Sequence, residues 1–347
     1  MRAHETTSLS VIIPVRNGEV MIGMCLESLA SQSRAPDEII VVDNGSTDQT
    51  VLRVKEWAVT HTKITLSLVM EKKLGPSAAR NRGVKAAKGK IVAFLDSDCI
   101  APTDWLQRIA EEIHNGADAV GGPYQTHSSA SAIEKYAAMS WFVSGENQAF
   151  HFHHPFISRF LLGGNMALLR RHLEEVGGFD ETLRAGEDLD LSFRLAKNGL
   201  SLKYVPQLAV IHQIQSHFSK RVRRAFSHGT LQSKIAQRDF YRRLTFSVSG
   251  RSWQWRFPVT IAIEGNSLTK IFGVGILVGI TDPRWGSLFF LALIVAWEAR
   301  MGYRLSRVGT PLRWHAFVSI PWGWATSRLA MESGRWIGSV RYRVFCW

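Results

Sequence analysis

Cysteine is scarce in this chain of 347 residues, with only Cys25, Cys99 and Cys346. They are too few and too scattered for a disulfide framework and show no paired metal-ligand spacing, so a reducing cytoplasm is expected. Long apolar runs are missing as well. Ile271–Thr281 and Trp285–Trp297 are interrupted by Asp282-Pro283-Arg284, and neither reaches the roughly 18–20 residues of a spanning helix. Met1-Arg2-Ala3-His4-Glu5 leads into a strand-like run without the apolar core of a signal peptide, so export of the catalytic part is not expected. After the first strand the chain reads Arg16-Asn17-Gly18-Glu19; a dinucleotide-binding dehydrogenase would need Gly-x-Gly-x-x-Gly there. The glycine-rich, basic triphosphate loop of a nucleotidyltransferase is also lacking. No internal repeat or low-complexity tract occurs.

Acidic residues run short in one region only. Residues 1–212 carry 22 Lys and Arg against 24 Asp and Glu, a net of −2, whereas residues 213–347 carry 20 against 5, a net of +15. Nine of the twelve tryptophans lie in that second part. Its overall charge would suit nucleic acid, but basic and Trp-rich apolar sequence fits an anionic membrane surface better. No nucleic-acid partner is expected.

The first part alternates strand and helix signals. Ser10–Pro14, Glu38–Asp43, Leu66–Glu71 and Lys90–Leu95 read as buried strands, with helices over 19–32, from Ser46 or Thr47 as cap to about Val59, and over 78–88. Such alternation implies a mostly parallel, doubly wound α/β sheet covered on both faces. Sites in these sheets lie beyond the carboxyl ends of the strands. Pro14–Asn17, Asp43–Asp48 and Asp96–Asp98 all follow strand ends. Further on, a strand over 163–169, helices over 170–176 and 187–198, and strands at 202–205 and 208–211 are expected. Residues 216–250 read as a basic helical connector. Residues 251–347 read as a membrane-associated region holding a re-entrant apolar hairpin over 271–297 and an amphipathic segment over 312–330, with flanking arginines keeping both ends cytoplasmic.

Two unpaired carboxylates at a buried strand end, Asp96 and Asp98, are costly unless a cation meets them. Mg²⁺ or Mn²⁺ with a diphosphate would do so. On spacing alone, an Asp pair capping the helix near Pro102 explains them equally well. His151-Phe152-His153-His154 lacks an acid or cysteine at ligand spacing, and reads as a flexible acceptor loop rather than a metal site. Lys220-Arg221-Val222-Arg223-Arg224 suits either a solvated helix face or contact with lipid phosphates.

The ordered set Ser10–Asn17, Ile39–Asp48, Gly75–Gly83 and Phe94–Asp98, followed by Gly163-Gly164-Asn165, Gly177-Gly178-Phe179-Asp180 and Gly186-Glu187-Asp188, resembles glycosyltransferase family 2 over about residues 8–215. The resemblance implies a GT-A fold and an inverting, metal-dependent transfer from a nucleotide-diphosphate sugar to a hydroxyl or lipid-phosphate acceptor. Pro14, Val15 and Asn17 would line the nucleotide pocket, with Asp43 and Asn44 near the base, Arg80 near base and diphosphate, and Asp96 on the ribose side. Asp98 would ligate the metal, joined by His212. Gly164, Asn165 and Glu187 would serve the acceptor, and Asp188 would be the general base. Many members carry Asp-Asp-Gly-Ser where this chain has Asp43-Asn44-Gly45-Ser46, which puts recognition of uracil in doubt. The chemistry asks for a base independently, since an acceptor hydroxyl must lose its proton opposite the leaving group. A carboxylate neighbour such as Glu187 would raise the Asp188 pKa. Acids favoured by the helix dipole are the plainer explanation of that cluster. Membrane attachment would place the enzyme on the cytoplasmic face, in cell-surface polysaccharide or glycolipid assembly. A sugar-nucleotide binder without transfer activity is the competing reading.

Overall fold

The computed structural model describes residues 7–126, 150–152, 160–183 and 186–212. Beyond them it describes separate helical positions between 222 and 238 and between 333 and 341, and strands at 243–248, 251–256, 261–264 and 345–346. The chain divides into two compact units, one of Met1–Ser129 with Ala138–Ile214, the other of Ala130–Ala137 with Gln215–Trp347.

In the first unit β1 (Leu9–Val15), α1 (Ile22–Ala30), β2 (Glu38–Asp43), α2 (Thr50–Thr60), β3 (Leu66–Met70), α3 (Pro76–Ala86) and β4 (Ile91–Leu95) alternate. They are followed by β5 (Cys99–Ile100), α4 (Trp105–His114), β6 (Ala119–Gly121), β7 (Tyr124–Gln125), β8 (Phe150–Phe152) and β9 (Asn165–Leu169). The unit ends with α5 (Arg170–Glu175), α6 (Glu187–Lys197), β10 (Leu202–Tyr204) and β11 (Val210–His212). The main sheet has the order β3-β2-β1-β4-β9-β6-β10-β8. Its first four strands are mutually parallel. Strand β9 runs antiparallel to both β4 and β6, and β8 antiparallel to β10, so the sheet is mixed beyond β4. A strand buried on both faces favours continuous β-branched sequence, and all six residues of β2 are buried. Alternation then divides the core. Val11 and Ile13 pack with α1, α2 and α4, while Ile12 packs with α3 and α6 on the other face.

Three expectations are corrected. The helix after β2 starts at Thr50, and neither Ser46 nor Thr47 caps it. Ser46 Oγ instead accepts the Asn17 N–H at 2.9 Å, and the Thr47 N–H goes to Asn17 Oδ1 at 2.8 Å, tying the loops after β1 and β2 together. The expected strand from Leu208 is preceded by a 3₁₀ turn at Pro206–Leu208, because Pro206 presets the backbone for a turn, and β11 begins at Val210. In the second unit the described positions between 222 and 238 are helical, but residues 243–248 are not. Arg243–Val248 (β12) pairs antiparallel with Arg251–Arg256 (β13) and parallel with Ile261–Glu264 (β14), which pairs with Phe345–Cys346 (β15). Register positions Leu244↔Trp255 and Phe246↔Trp253 are apolar, while Thr245↔Gln254 and Ser247↔Ser252 are polar. That two-residue period belongs to a strand, not a helix.

Among the described residues no helix is long and apolar enough to cross a membrane. The stretches 271–281, 285–297 and 312–330 lie outside the described residues, as do His153, His154 and Lys220.

Candidate active site

Strand ends β1, β2 and β4 converge with the entry to β9 and the start of α6. The pairing Leu95↔Asn165 brings Gly163 and Gly164 beside Asp96, whose N–H donates to the Gly164 carbonyl at 3.2 Å. Gly164 is required there, since a Cβ would stand 2.0 Å from Asp96 Cγ and 2.3 Å from the Tyr124 hydroxyl oxygen. Its place is thus the floor of the acid site.

Asp96 accepts from Arg80 Nη2 at 2.8 Å through Oδ1 and from the Tyr124 hydroxyl at 3.0 Å through Oδ2. Burial pushes this carboxyl up, but Arg80, His212 and the Tyr124 hydrogen bond outweigh it, and the pKa lies below the ordinary value. Tyr124 goes the other way: burial raises its phenol well above the usual range, and Asp96 adds to the shift. No sequence signal marked Tyr124. It lies on a two-residue strand, and only its pairing with β11 reveals it.

Asp98 points to His212, with Oδ1 3.4 Å from Nε2. The neighbourhood follows from register, because β11 pairs antiparallel with β5 and sets His212 against Cys99. Tyr124 stacks on the His212 ring at 4.5 Å and 6°, and the buried Nδ1 of His212 has no hydrogen-bond partner among the described residues. One ligand atom each from Asp98, Cys99 and His212 falls within 4.8 Å of the others. Burial and the nearby acids hold the Cys99 thiol well above its ordinary range, so it is a poor match for a hard cation. The carboxylate and imidazole fit one. Beneath this floor Cys25 is also buried, its thiol 3.6 Å from the Asp96 carbonyl oxygen and pushed up by burial and by Asp98 and Asp96.

The second acid pair opens α6. Gly186 stands in the left-handed region at φ 77°, where only glycine is free of strain, and turns the chain into the helix. Glu187 is buried and accepts from Arg80 Nη1 at 2.8 Å. Asp188 Oδ2 accepts the Gly163 N–H at 3.2 Å. Its pKa is pushed up to about 6, first by burial and then by the Glu187 charge, against the opposing pull of the Gly163 amide and Arg80. Asp190 is fully buried and pairs with Arg194 at 2.8 Å, a structural bond.

Three expected site residues spend their side chains inside the fold. Asn44 donates to the carbonyls of Glu71 at 3.0 Å and Lys73 at 2.8 Å and accepts from the Gly75 N–H at 2.7 Å. Its amide pins the 71–75 loop, with both N–H groups spent on backbone carbonyls. Asn165 is 1% exposed; it accepts from Trp105 Nε1 at 3.0 Å and donates to the carbonyls of Pro123 and Leu208. It cannot meet an acceptor. Arg80, expected near base and diphosphate, is 4% exposed, with both terminal nitrogens committed to Asp96 and Glu187. Pro14, Val15, Asn17 and Asp43 lie at or just beyond the ends of β1 and β2. Asn17 takes a positive φ of 54° and links the first two loops. Pro14 is half-buried, and the Val15 carbonyl receives the Asn44 N–H at 2.8 Å. Asp43 is 1% exposed: Oδ2 accepts the N–H groups of Gly45 and Ser46, and Oδ1 has no partner among the described residues.

Comparison with known proteins agrees with this layout. The model of "Glycosyl transferase family 2" matches residues 10–177. The glycosyltransferase AglE of Haloferax volcanii is 30% identical over 234 residues, covering 65% of this chain and 73% of that protein. The pre-mycofactocin glycosyltransferase of Mycobacterium tuberculosis is 28% identical over 245 residues, covering 70% of this chain but only 50% of its own length. Among solved structures, a mannosyltransferase from Pyrobaculum calidifontis, in complex with GDP-Man and Mn²⁺, superposes with a TM-score of 0.58. It has 21% identity over 98% of this chain and 88% of that one, a likeness of fold. The strand-end acids, the glycines packed against them and the relatives converge, and the chain belongs to glycosyltransferase family 2.

Proposed function

We propose that this nucleotide-sugar-dependent glycosyltransferase performs a single inverting displacement with Asp188 as general base. The observation that carries the reading is the Asp188 carboxyl. It sits beside Gly163 and Arg80 with its pKa pushed up to about 6, which suits proton transfer near neutrality. Asp188 takes the acceptor hydroxyl proton, the acceptor oxygen bonds to the anomeric carbon, and the bond from that carbon to the diphosphate oxygen breaks with its electrons. The nucleoside diphosphate leaves from the opposite face. Asp98 and His212 would hold a divalent cation, Mg²⁺ or Mn²⁺, which supplies Lewis-acid neutralisation of the leaving diphosphate. The Oδ1 of Asp43, without a partner among the described residues, is an acceptor for a base N–H, with Pro14, Val15 and Asn17 at the neighbouring strand end. Asp96 would face the ribose side, and Glu187 and Gly164 would flank the acceptor.

The acceptor we propose is a saccharide or polyprenyl-phosphate lipid in cell-envelope assembly. The second unit would hold the enzyme on the cytoplasmic face of the membrane. Residues 1–215 form the catalytic domain in this reading, 216–250 the connector and 251–347 the membrane-associated region. Its support is the +15 charge and nine tryptophans of residues 213–347.

The test is a melting screen of UDP-N-acetylglucosamine, UDP-glucose and GDP-mannose with and without Mn²⁺, since a ligand that binds only the folded state raises Tm. A Mn²⁺-dependent rise with one of them, and nucleoside diphosphate release lost in Asp188→Asn, is the expected result. Release undiminished in that variant overturns the base. Sedimentation with anionic vesicles checks the second unit, and full solubility without detergent or vesicle binding sinks its membrane role.

A further inference from the structure

We infer that Arg80 is a positioning residue that joins the donor-side acid Asp96 to the acceptor-side acid Glu187 next to Asp188, and that it is not a ligand for the diphosphate. The guanidinium is closed in on every side. Nη2 bonds Asp96 Oδ1 and Nη1 bonds Glu187 Oε1, both at 2.8 Å. Its Cζ lies 5.5 Å from the centre of the Phe179 ring. Over it runs the Gly163 backbone, so close that a Cβ there would come within 3.3 Å of both Cζ and Nη1. Nε is buried and has no hydrogen-bond partner among the described residues. Two of the guanidinium's five N–H donors are spent on Asp96 and Glu187, and a phosphate that took the place of either carboxylate would leave it buried without its cation.

The same contacts couple the two sides of the site. Asp188 is faced by Glu187 on its own helix, by Arg80 from α3 and by the Gly163 amide from the approach to β9, with Asp96 beyond Arg80. Glu187 raises its pKa and Arg80 lowers it. Arg80 thus limits how far burial and Glu187 drive the base toward the protonated form. Asn81, next in sequence, anchors α3 to the Phe179 turn by accepting from the Phe179 N–H at 2.9 Å and donating to its carbonyl at 2.9 Å. The clamp and the ring beneath it therefore move as one piece.

The inference rests on Asp188 as base only for its catalytic consequence, so the experiment reads the carboxyl itself. Carbon-13 NMR of aspartate-labelled protein without substrate follows the Asp188 titration. Removal of the cation in Arg80→Gln should move it upward by about one pH unit, and removal of the anion in Glu187→Gln downward by about as much. Arg80→Lys, which keeps the charge, should recover most of the first shift. An unmoved or lowered titration in Arg80→Gln overturns the clamp. If that variant does not fold, an unmoved titration in Glu187→Gln overturns it equally. Calorimetry of GDP and UDP with Mn²⁺ separates the remaining possibility: affinity weakened tenfold or more in Arg80→Lys, with the Asp188 titration in place, marks a diphosphate ligand and rejects the proposal. Loss of transfer in Asp188→Asn is a separate result and bears on the base alone.

Discussion

The two acid clusters of the site, one around Asp96 and one around Asp188, hold the same functional group shifted in opposite directions. Both carboxyls lie within the influence of one arginine. Asp96 receives two hydrogen bonds, one of them from that arginine, and is held below the ordinary range. Among the described residues Asp188 receives backbone amides only; it stands next to a second carboxylate and is pushed up to about 6. Environment sets the role, as in other paired-acid sites. A permanently charged group suits a place near a cation and a diphosphate, and a titrating group suits one that must gain and release a proton.

The largest way to break this contrast is Asp188→Asn. An amide cannot take the proton, and transfer should fall by about 10²–10⁴-fold, with donor affinity kept within about threefold; steady-state rates and calorimetry check both. Next is His212→Ala, which removes one of the two proposed hard ligands. The Mn²⁺ concentration for half-maximal release should rise by about tenfold or more, and Tyr124→Ala should do the same more weakly by freeing the ring that stacks on His212. The pH profile sharpens the contrast directly. As the proposed base, Asp188 must be ionised to act, so log kcat/KM should fall with unit slope below about pH 6 and level above it. Asp96, already ionised there, contributes no limb. Gly164→Ala should cost about 1–3 kcal/mol through the clash at Asp96, read as a lowered urea midpoint. The smallest effect is one of stability. A carboxyl whose pKa is raised on folding stabilises the protein below its unfolded value near 4, and that contribution is lost as pH rises through about 6. Asp188→Asn should therefore melt several degrees higher at pH 8 and come close to the parent at pH 4, about 2 kcal/mol of difference.

Much of this contrast was legible in the sequence, and its limits have physical causes. Strand-end loops announce themselves by runs such as Ile39–Asp43 ending in Asn44-Gly45, so the parallel half of the sheet and the positions of Asp43, Asp96 and Asp98 followed from periodicity. Asp188 beside Glu187 likewise predicted a raised pKa. Partner identity did not follow. Asn44 and Asn165 have the residue type of ligand contacts, yet their amides satisfy backbone groups 27 to 43 positions away. Such bonds are set by strand register, which a local pattern does not encode. Tyr124 was missed for the same reason, and the β12–β13 ribbon was masked by a basic composition that suits a helix equally well.

The two cysteines under the acid floor give the site a built-in gauge of its own opening. Only a thiolate attacks an alkylating reagent, and both Cys25 and Cys99 are buried with their thiols held protonated. Their labelling rate therefore counts the moments when the sheet end parts beneath Asp96. A nucleotide sugar that clamps the floor should slow that clock, and the degree of slowing would report occupancy without any assay of the sugar transferred.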